Sequence, residues 1–289
     1  MNGPQKPAVT VIIPTYNWSA VLPFSIASVL DQTFTDFELL VIGDRCTDDS
    51  ADVVACVGDG RVQWHNLPTR TRHQGGPNNA GIELAKADVI AYLGHDDLWL
   101  PHHLETLIAP IHGGAAMAHG RTLTVVPGKA PEVFPFRWWP YQPGAWIPPT
   151  AMVHERELVL RAGGWRPPTG ARTPDPEAEL WSRMARIAGP PKLVSNLTNV
   201  KLPAVVRQDV YKLRPSDEQA YWLQRIRDAD DPERALLAAA KADGTARTLA
   251  RATRGRVRLR TRLGLRRSYP TRTAVERATR RLHYKGVED

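Results

Sequence analysis

The feature that most constrains this chain is a recurring pair: a short apolar run halted by Pro or Gly, then a polar loop that leads into a helix-spaced segment. Ala8 to Pro14, Phe37 to Gly43 and Val89 to Leu93 are such runs, with a weaker one at Arg61 to Asn66. Runs this short that do not alternate read as strands buried on both faces. Between them, Val21, Leu22, Ser25, Ile26, Val29 and Leu30 lay one apolar stripe on a helix. Val53, Val54 and Val57 mark a second helix, and Gly75 opens a third that runs to Lys86. Strand, helix, strand, helix in this order predicts a parallel, doubly wound half.

Open α/β sheets bind ligands at the carboxyl ends of their strands. Here those loops carry Asn17, Asp44 and the run Gly94-His-Asp-Asp97. Adjacent carboxylates suit a hard cation such as Mg2+ or Mn2+, with room left for phosphate oxygens. Asp96 or Asp97 can also serve merely to cap a helix starting near Pro101. Polar groups on three separate loops of one sheet edge are harder to explain as caps, and they favour a site.

The length of 289 residues allows one large α/β domain or two halves sharing a sheet. No apolar run reaches the length of a membrane span, and Met1 to Lys6 does not read as a signal peptide. Cys46 and Cys56 have neither metal-ligand spacing nor a disulfide framework, which predicts a reducing, cytoplasmic setting. The net charge of +8 belongs to the tail: from Lys241 onward the surplus is +11, so the body is slightly acidic.

The segments Val9-Thr-Val-Ile-Ile-Pro-Thr-Tyr-Asn17, Leu40-Val-Ile-Gly-Asp-Arg-Cys-Thr-Asp48, Asn79-Ala-Gly-Ile-Glu-Leu-Ala-Lys86 and Leu93-Gly-His-Asp-Asp-Leu-Trp99 resemble the donor half of a family-2 glycosyltransferase. These are inverting enzymes of the GT-A fold that use a nucleotide-diphosphate sugar and a divalent metal. The likeness runs in order through residues 8 to 207. It implies that Pro14, Thr15, Asn17 and Asn79 contribute to the nucleotide site, and that Asp44 holds the base or ribose. It also implies that Asp96, the last acid of the family's Asp-x-Asp motif, holds Mg2+ or Mn2+, with Asp97 beside it. Two positions depart from the pattern: Gly94 replaces the first acid of that motif, and Gly43 the first of the acid pair near Asp44. One carboxylate fewer weakens a hard-cation site. His95 is expected to be structural or to contact the sugar.

Further on, Phe134, Phe136, Trp138, Trp139, Tyr141 and Trp146 are interleaved with prolines and show no period. They read as a loop with its own small core. Because sugar C–H faces stack on aromatic rings, Trp138, Trp139 and Trp146 are also candidates for the acceptor site. Asp175 then reads as an N-cap with Pro176 at the first helical position. Glu177 shares the inward face of Leu180 and Trp181. Inverting transfer needs a carboxylate to take the acceptor proton; the resemblance puts it at Glu177, with Asp175 as the alternative. Both acids can equally serve the helix terminus. Val200 to Arg207 resembles the family's closing strand, and Arg207, Lys212 or Arg214 can offer a cation to the diphosphate or simply form a solvated basic turn.

The expectation is therefore an α/β chain of GT-A type: a doubly wound, mostly parallel sheet flanked by helices, with a helical basic C-terminal extension. Residues 1–110 form the nucleotide-sugar half, 111–214 the acceptor and catalytic-base half, and 215–289 the Arg-rich tail. The expected activity is metal-dependent inverting transfer from a UDP-, dTDP- or GDP-linked sugar to a glycan or lipid-linked acceptor. The alternative is an inactive nucleotide-sugar-binding scaffold. A nucleotidyltransferase would want a Gly-, Arg- and Lys-rich loop after the first strand, which Thr15 to Ser19 lacks. The 247–285 segment is expected to rest on anionic membrane at the inner face of the plasma membrane, with a subunit contact or a solvated tail as the alternatives, and nucleic acid is not the expected partner.

Overall fold

A computed structural model describes residues 6–135, 140–168, 175–207, 209–213 and 215–242. The elements are β1 (Val9–Thr15), α1 (Leu22–Leu30), β2 (Phe37–Gly43), α2 (Ser50–Ala55), β3 (Val62–Asn66), α3 (Gly75–Leu84), β4 (Val89–Tyr92), β5 (Leu98–Trp99) and α4 (His103–His112). They continue as β6 (Met117–Thr124), β7 (Glu132–Phe134), β8 (Met152–Glu155), α5 (Arg156–Arg161), α6 (Pro176–Ala188), β9 (Lys192–Lys201), α7 (Val210–Leu213), α8 (Asp217–Arg227) and α9 (Pro232–Ala242). Trp138, Trp139, Arg214 and the 247–285 segment lie outside the described residues, as does the side chain of Lys212.

One sheet runs β3-β2-β1-β4-β8-β6-β9-β5, with β7 paired to β6. The first four strands are parallel. Beyond β4 the pairing is mixed: β8 is antiparallel to β4 and β6, whereas β6 and β9 run parallel. The parallel order read from the first half therefore stops at β4. The later strands follow without regular crossover helices, and antiparallel pairing does not need them.

Period-two alternation sorts the strand residues between two cores. Val9, Val11 and Ile13, with Leu39, Val41 and Ala91, face α1 and α4. Ile12, Leu40, Ile42, Ile90 and Tyr92 face α3, α5 and α6. Burial on both faces explains why these strands are apolar throughout. A third cluster joins Leu98, Leu123, Leu197 and Val200 to Trp222, Leu223, Ile226 and Leu236, which seats α8 and α9 on the far end of the sheet.

Three boundaries differ from expectation. The closing strand is Lys192–Lys201, and the residues after it turn at Pro203, whose ring removes a ladder donor. Leu98–Trp99 forms a short strand on β9 directly after the acid pair. Glu132–Phe134 pairs with β6 although its aromatic and proline content hides any period.

Candidate active site

The strand order reverses between β1 and β4, which opens the crevice where such sheets bind ligands. Asp44 follows β2 and Asp96 follows β4, so the two acids flank the carboxyl end of β1 on one edge of the sheet. Two strand spacings separate those positions, on the order of 10 Å. The Asp44 amide donates to Thr15 O at 2.8 Å, and His95 Nδ1 lies 3.1 Å from Pro14 O. The His95 ring also packs on Trp18, with centroids 4.7 Å apart. Pro14 and Thr15 thus form the floor between both acid loops. The buried Thr15 hydroxyl has no hydrogen-bond partner among the described residues.

Several residues expected at the donor site also make hydrogen bonds within the protein, mostly to backbone. Asn17, at φ 53°, accepts from Thr47 N at 2.7 Å and donates to Thr47 Oγ1 at 3.0 Å, clasping the loop after β2. The Asp44 carboxylate accepts from Thr71 N at 2.7 Å, Thr71 Oγ1 at 2.9 Å and Arg72 N at 2.9 Å. It fixes the loop between β3 and α3, where Arg70 lies 3.6 Å from the centre of the Tyr16 ring. Asn79 is a latch: it donates to Trp165 O at 2.9 Å and accepts from Trp165 N at 2.8 Å. The adjoining Gly164 has φ 66°, and a Cβ there would sit 2.8 Å from Asn79 Oδ1, so glycine is required. Arg207 binds Glu218 and donates to Pro203 O at 2.8 Å, tying the turn after β9 to α8.

The acid pair divides in the same way. Asp97 is fully buried, accepting from Leu202 N at 2.9 Å, Thr150 Oγ1 at 2.5 Å and Lys201 Nζ at 3.0 Å. These bonds tie it to the end of β9 and the residue that follows. Asp96 keeps partial exposure, and among the described residues no other residue donates to its carboxylate. Burial, then the Asp97 charge, raises its pKa, while His95 and Lys201 work against the shift. Gln219 of α8 donates to Asp96 O at 3.3 Å, so the C-terminal helices brace the acid loop from behind.

Among the described residues, no group of three or more His, Cys, Asp or Glu side chains is arranged to hold a metal ion. A Cβ placed on Gly94 would lie 2.9 Å from Asp97 Oδ2 and 3.2 Å from Asp96 Oδ1. The two remaining carboxylates thus approach the residue 94 backbone closely, in space that a side chain there would need. One such carboxylate fits a hard cation that takes its other ligands from diphosphate and water.

Glu177 enters from the first turn of α6. Pro176 starts that helix and Asp175 occupies its N-cap position, but the Asp175 side chain makes no capping bond. Leu180, Trp181 and Met184 are fully buried and fix the helix on the sheet, each contributing about 1.5–3 kcal/mol. Glu177 Oε1 accepts from Trp146 Nε1 at 2.6 Å, and Oε2 accepts from Gln74 Nε2 at 3.0 Å. Burial and the neighbouring Asp175 charge raise its pKa; its own backbone amide, the Trp146 bond and Lys201 oppose them. Trp146 is thus placed beside the candidate base, a role that its aperiodic surroundings did not show.

Lys201 was missed. It ends β9 beside Asp97 and lies within electrostatic reach of Asp96 and Glu177. Burial disfavours its charge, but the three carboxylates outweigh burial and hold its pKa above the ordinary lysine value. Its only sequence signal was a basic residue closing a strand.

The family model for Glycosyl transferase family 2 matches residues 10–145. The chain is 35% identical over 103 residues to the UDP-Glc:alpha-D-GlcNAc-diphosphoundecaprenol beta-1,3-glucosyltransferase WfgD of Escherichia coli, a match that covers 35% of this chain and 40% of the relative. The chain spans less than half the length of the curated relatives it matches. Its fold resembles Staphylococcus aureus TarS 1-349 in complex with UDP-GlcNAc, with TM-score 0.54, 16% identity, and coverage of 80% of this chain and 70% of that one. It also resembles the mannosyltransferase PcManGT of Pyrobaculum calidifontis in complex with GDP-Man and Mn2+, with TM-score 0.53, 17% identity, and coverage of 96% and 85%. The architecture is that of the GT-A fold.

Proposed function

Because residues 10–145 belong to glycosyltransferase family 2, we propose that this chain transfers a sugar, with inversion, from a nucleotide-diphosphate donor to a hydroxyl of a glycan or lipid-linked acceptor. The observation that carries the reading is that Glu177 and Asp96, from α6 and the loop after β4, share the surroundings of Lys201 at the strand-switch crevice. Neighbouring folds hold UDP-GlcNAc and GDP-Man, which supports a nucleotide-sugar donor. The diphosphoundecaprenol in the name of the Escherichia coli relative supports a lipid-linked acceptor.

In this reading the donor nucleotide lies over Pro14 and Thr15, between loops held in shape by Asn17 and Asp44. Asp96 holds Mg2+ or Mn2+, which when bound neutralises charge on the leaving diphosphate. Glu177 accepts the acceptor's hydroxyl proton as that oxygen bonds the anomeric carbon, and the nucleoside diphosphate departs from the opposite side. Its raised pKa makes it a stronger base than an exposed glutamate, while the Trp146 indole keeps it oriented. Trp146 lies at the acceptor side of the base and orders that wall.

The test is hydrolysis or transfer from a panel of UDP-, dTDP- and GDP-sugars with Mn2+. Turnover that is lost in both Asp96→Asn and Glu177→Gln supports the reading. The glycine at position 94 favours a second reading, a nucleotide-sugar-binding scaffold, which would bind a donor without turning it over whatever acceptor is supplied.

A further inference from the structure

In place of one of the family's metal-motif acids, this chain has Gly94, and a lysine pairs with the carboxylate that packs against that glycine. A Cβ at residue 94 would touch Asp97 Oδ2 at 2.9 Å, and the same oxygen carries the Lys201 ammonium at 3.0 Å. Lys201 keeps about a fifth of its side chain exposed, whereas Asp97 is wholly enclosed. The ammonium has three donors, and Asp97 Oδ2 is the only hydrogen-bond acceptor recorded for it among the described residues. It is therefore anchored by one buried carboxylate and placed near two more, Asp96 and Glu177.

We propose that Lys201 binds the donor's diphosphate directly, as a fixed cation built into β9 that supplements the metal held by Asp96. This rests on the donor-site reading above and deepens it. What singles Lys201 out is an ammonium with one hydrogen-bond acceptor among the described residues and partial exposure beside the acid loop. Arg207, one of the three cations expected from sequence, binds Glu218 and the Pro203 carbonyl. An ammonium at the end of a strand is a point charge that suits phosphate oxygens without demanding a planar partner. Part of the donor affinity should then survive removal of the metal.

Calorimetric titration of the full chain with UDP, GDP, uridine and guanosine, in EDTA and in Mn2+, tests this. In EDTA the better nucleoside diphosphate should bind the wild type about 10-fold or more tighter than its nucleoside. Equal binding of the two would overturn the proposal without any variant. Lys201→Arg should stay within about 3-fold of wild type, and the charge-balanced double variant Asp97→Asn with Lys201→Met should lose about 10- to 100-fold in EDTA. A folded double variant with wild-type affinity in EDTA would show that Lys201 merely neutralises Asp97, and would also overturn it. Failure of the wild type to bind either diphosphate, with or without Mn2+, would instead remove the donor-site reading itself.

Discussion

The Trp146 indole donates a 2.6 Å hydrogen bond to the Glu177 carboxylate, joining the aromatic, proline-rich stretch to the first turn of α6. A charged acceptor makes this bond stronger than a neutral one, and it stabilises the ionised form of a carboxyl that burial drives the other way.

Trp146→Phe should therefore raise the Glu177 pKa further. The acid limb of the pH–rate profile for sugar transfer should move to higher pH, with the donor KM little changed. An unmoved limb would separate Trp146 from the base.

Glu177→Gln should lower kcat by about 10²- to 10⁴-fold and raise the thermal midpoint at pH 7. The sign follows from linkage. A carboxyl whose folded pKa lies above its unfolded value binds more protons when folded, so its contribution is lost as pH rises through that window. Removing it relieves a cost that is fully present at neutral pH. A fall in the midpoint at pH 7 would contradict the assigned burial effect.

Asn79→Ala should cost about 1–3 kcal/mol of stability, because both amide groups bind the Trp165 backbone. Calorimetric affinity for UDP and GDP should stay unchanged. A donor-specific loss with full stability would return Asn79 to the nucleotide site.

Acid should weaken the fold through its buried histidines. Burial lowers the pKa of His119 and His154 to about 4. His154 lies 2.8 Å from Glu155 O and 2.9 Å from the Tyr92 hydroxyl, whose own pKa burial pushes upward. Both histidines stay neutral in the fold, while the unfolded chain protonates near pH 6.5. Stability is thus complete above that value and falls as pH drops toward 4, by about 3 kcal/mol per histidine. Denaturant titrations at pH 7 and pH 5 should show the loss, and His154→Gln should reduce it. Equal stability of the wild type at both pH values would refute this account.

Much of the fold was legible because apolar strands buried on both faces leave an unmistakable local pattern. Val9 to Ile13, Leu39 to Ile42 and Val89 to Leu93 announced β1, β2 and β4, and the stripe of Leu22, Ile26 and Val29 announced α1. The order of these segments also determined that Asp44 and Asp96 end on one edge, since parallel strands joined by right-handed crossovers place their loops together. The Asp175-Pro176 start of α6 and the inward face of Glu177 were equally readable, because caps and helical spacing are local chemistry.

Which oxygen each polar side chain would meet was decided by tertiary structure alone. Asp96 and Asp97 are adjacent and chemically identical, yet one keeps partial exposure while the other is sealed against Thr150, Leu202 and Lys201 from distant segments. Asn17, Asp44, Asn79 and Arg207 each spend their polar groups on backbone or carboxylate partners brought near only by folding. The chain by itself determined where chemistry can occur, through periodicity and strand order. The packed molecule decided which groups remain available for it, because a buried polar atom must find a partner and that partner lies far away in sequence.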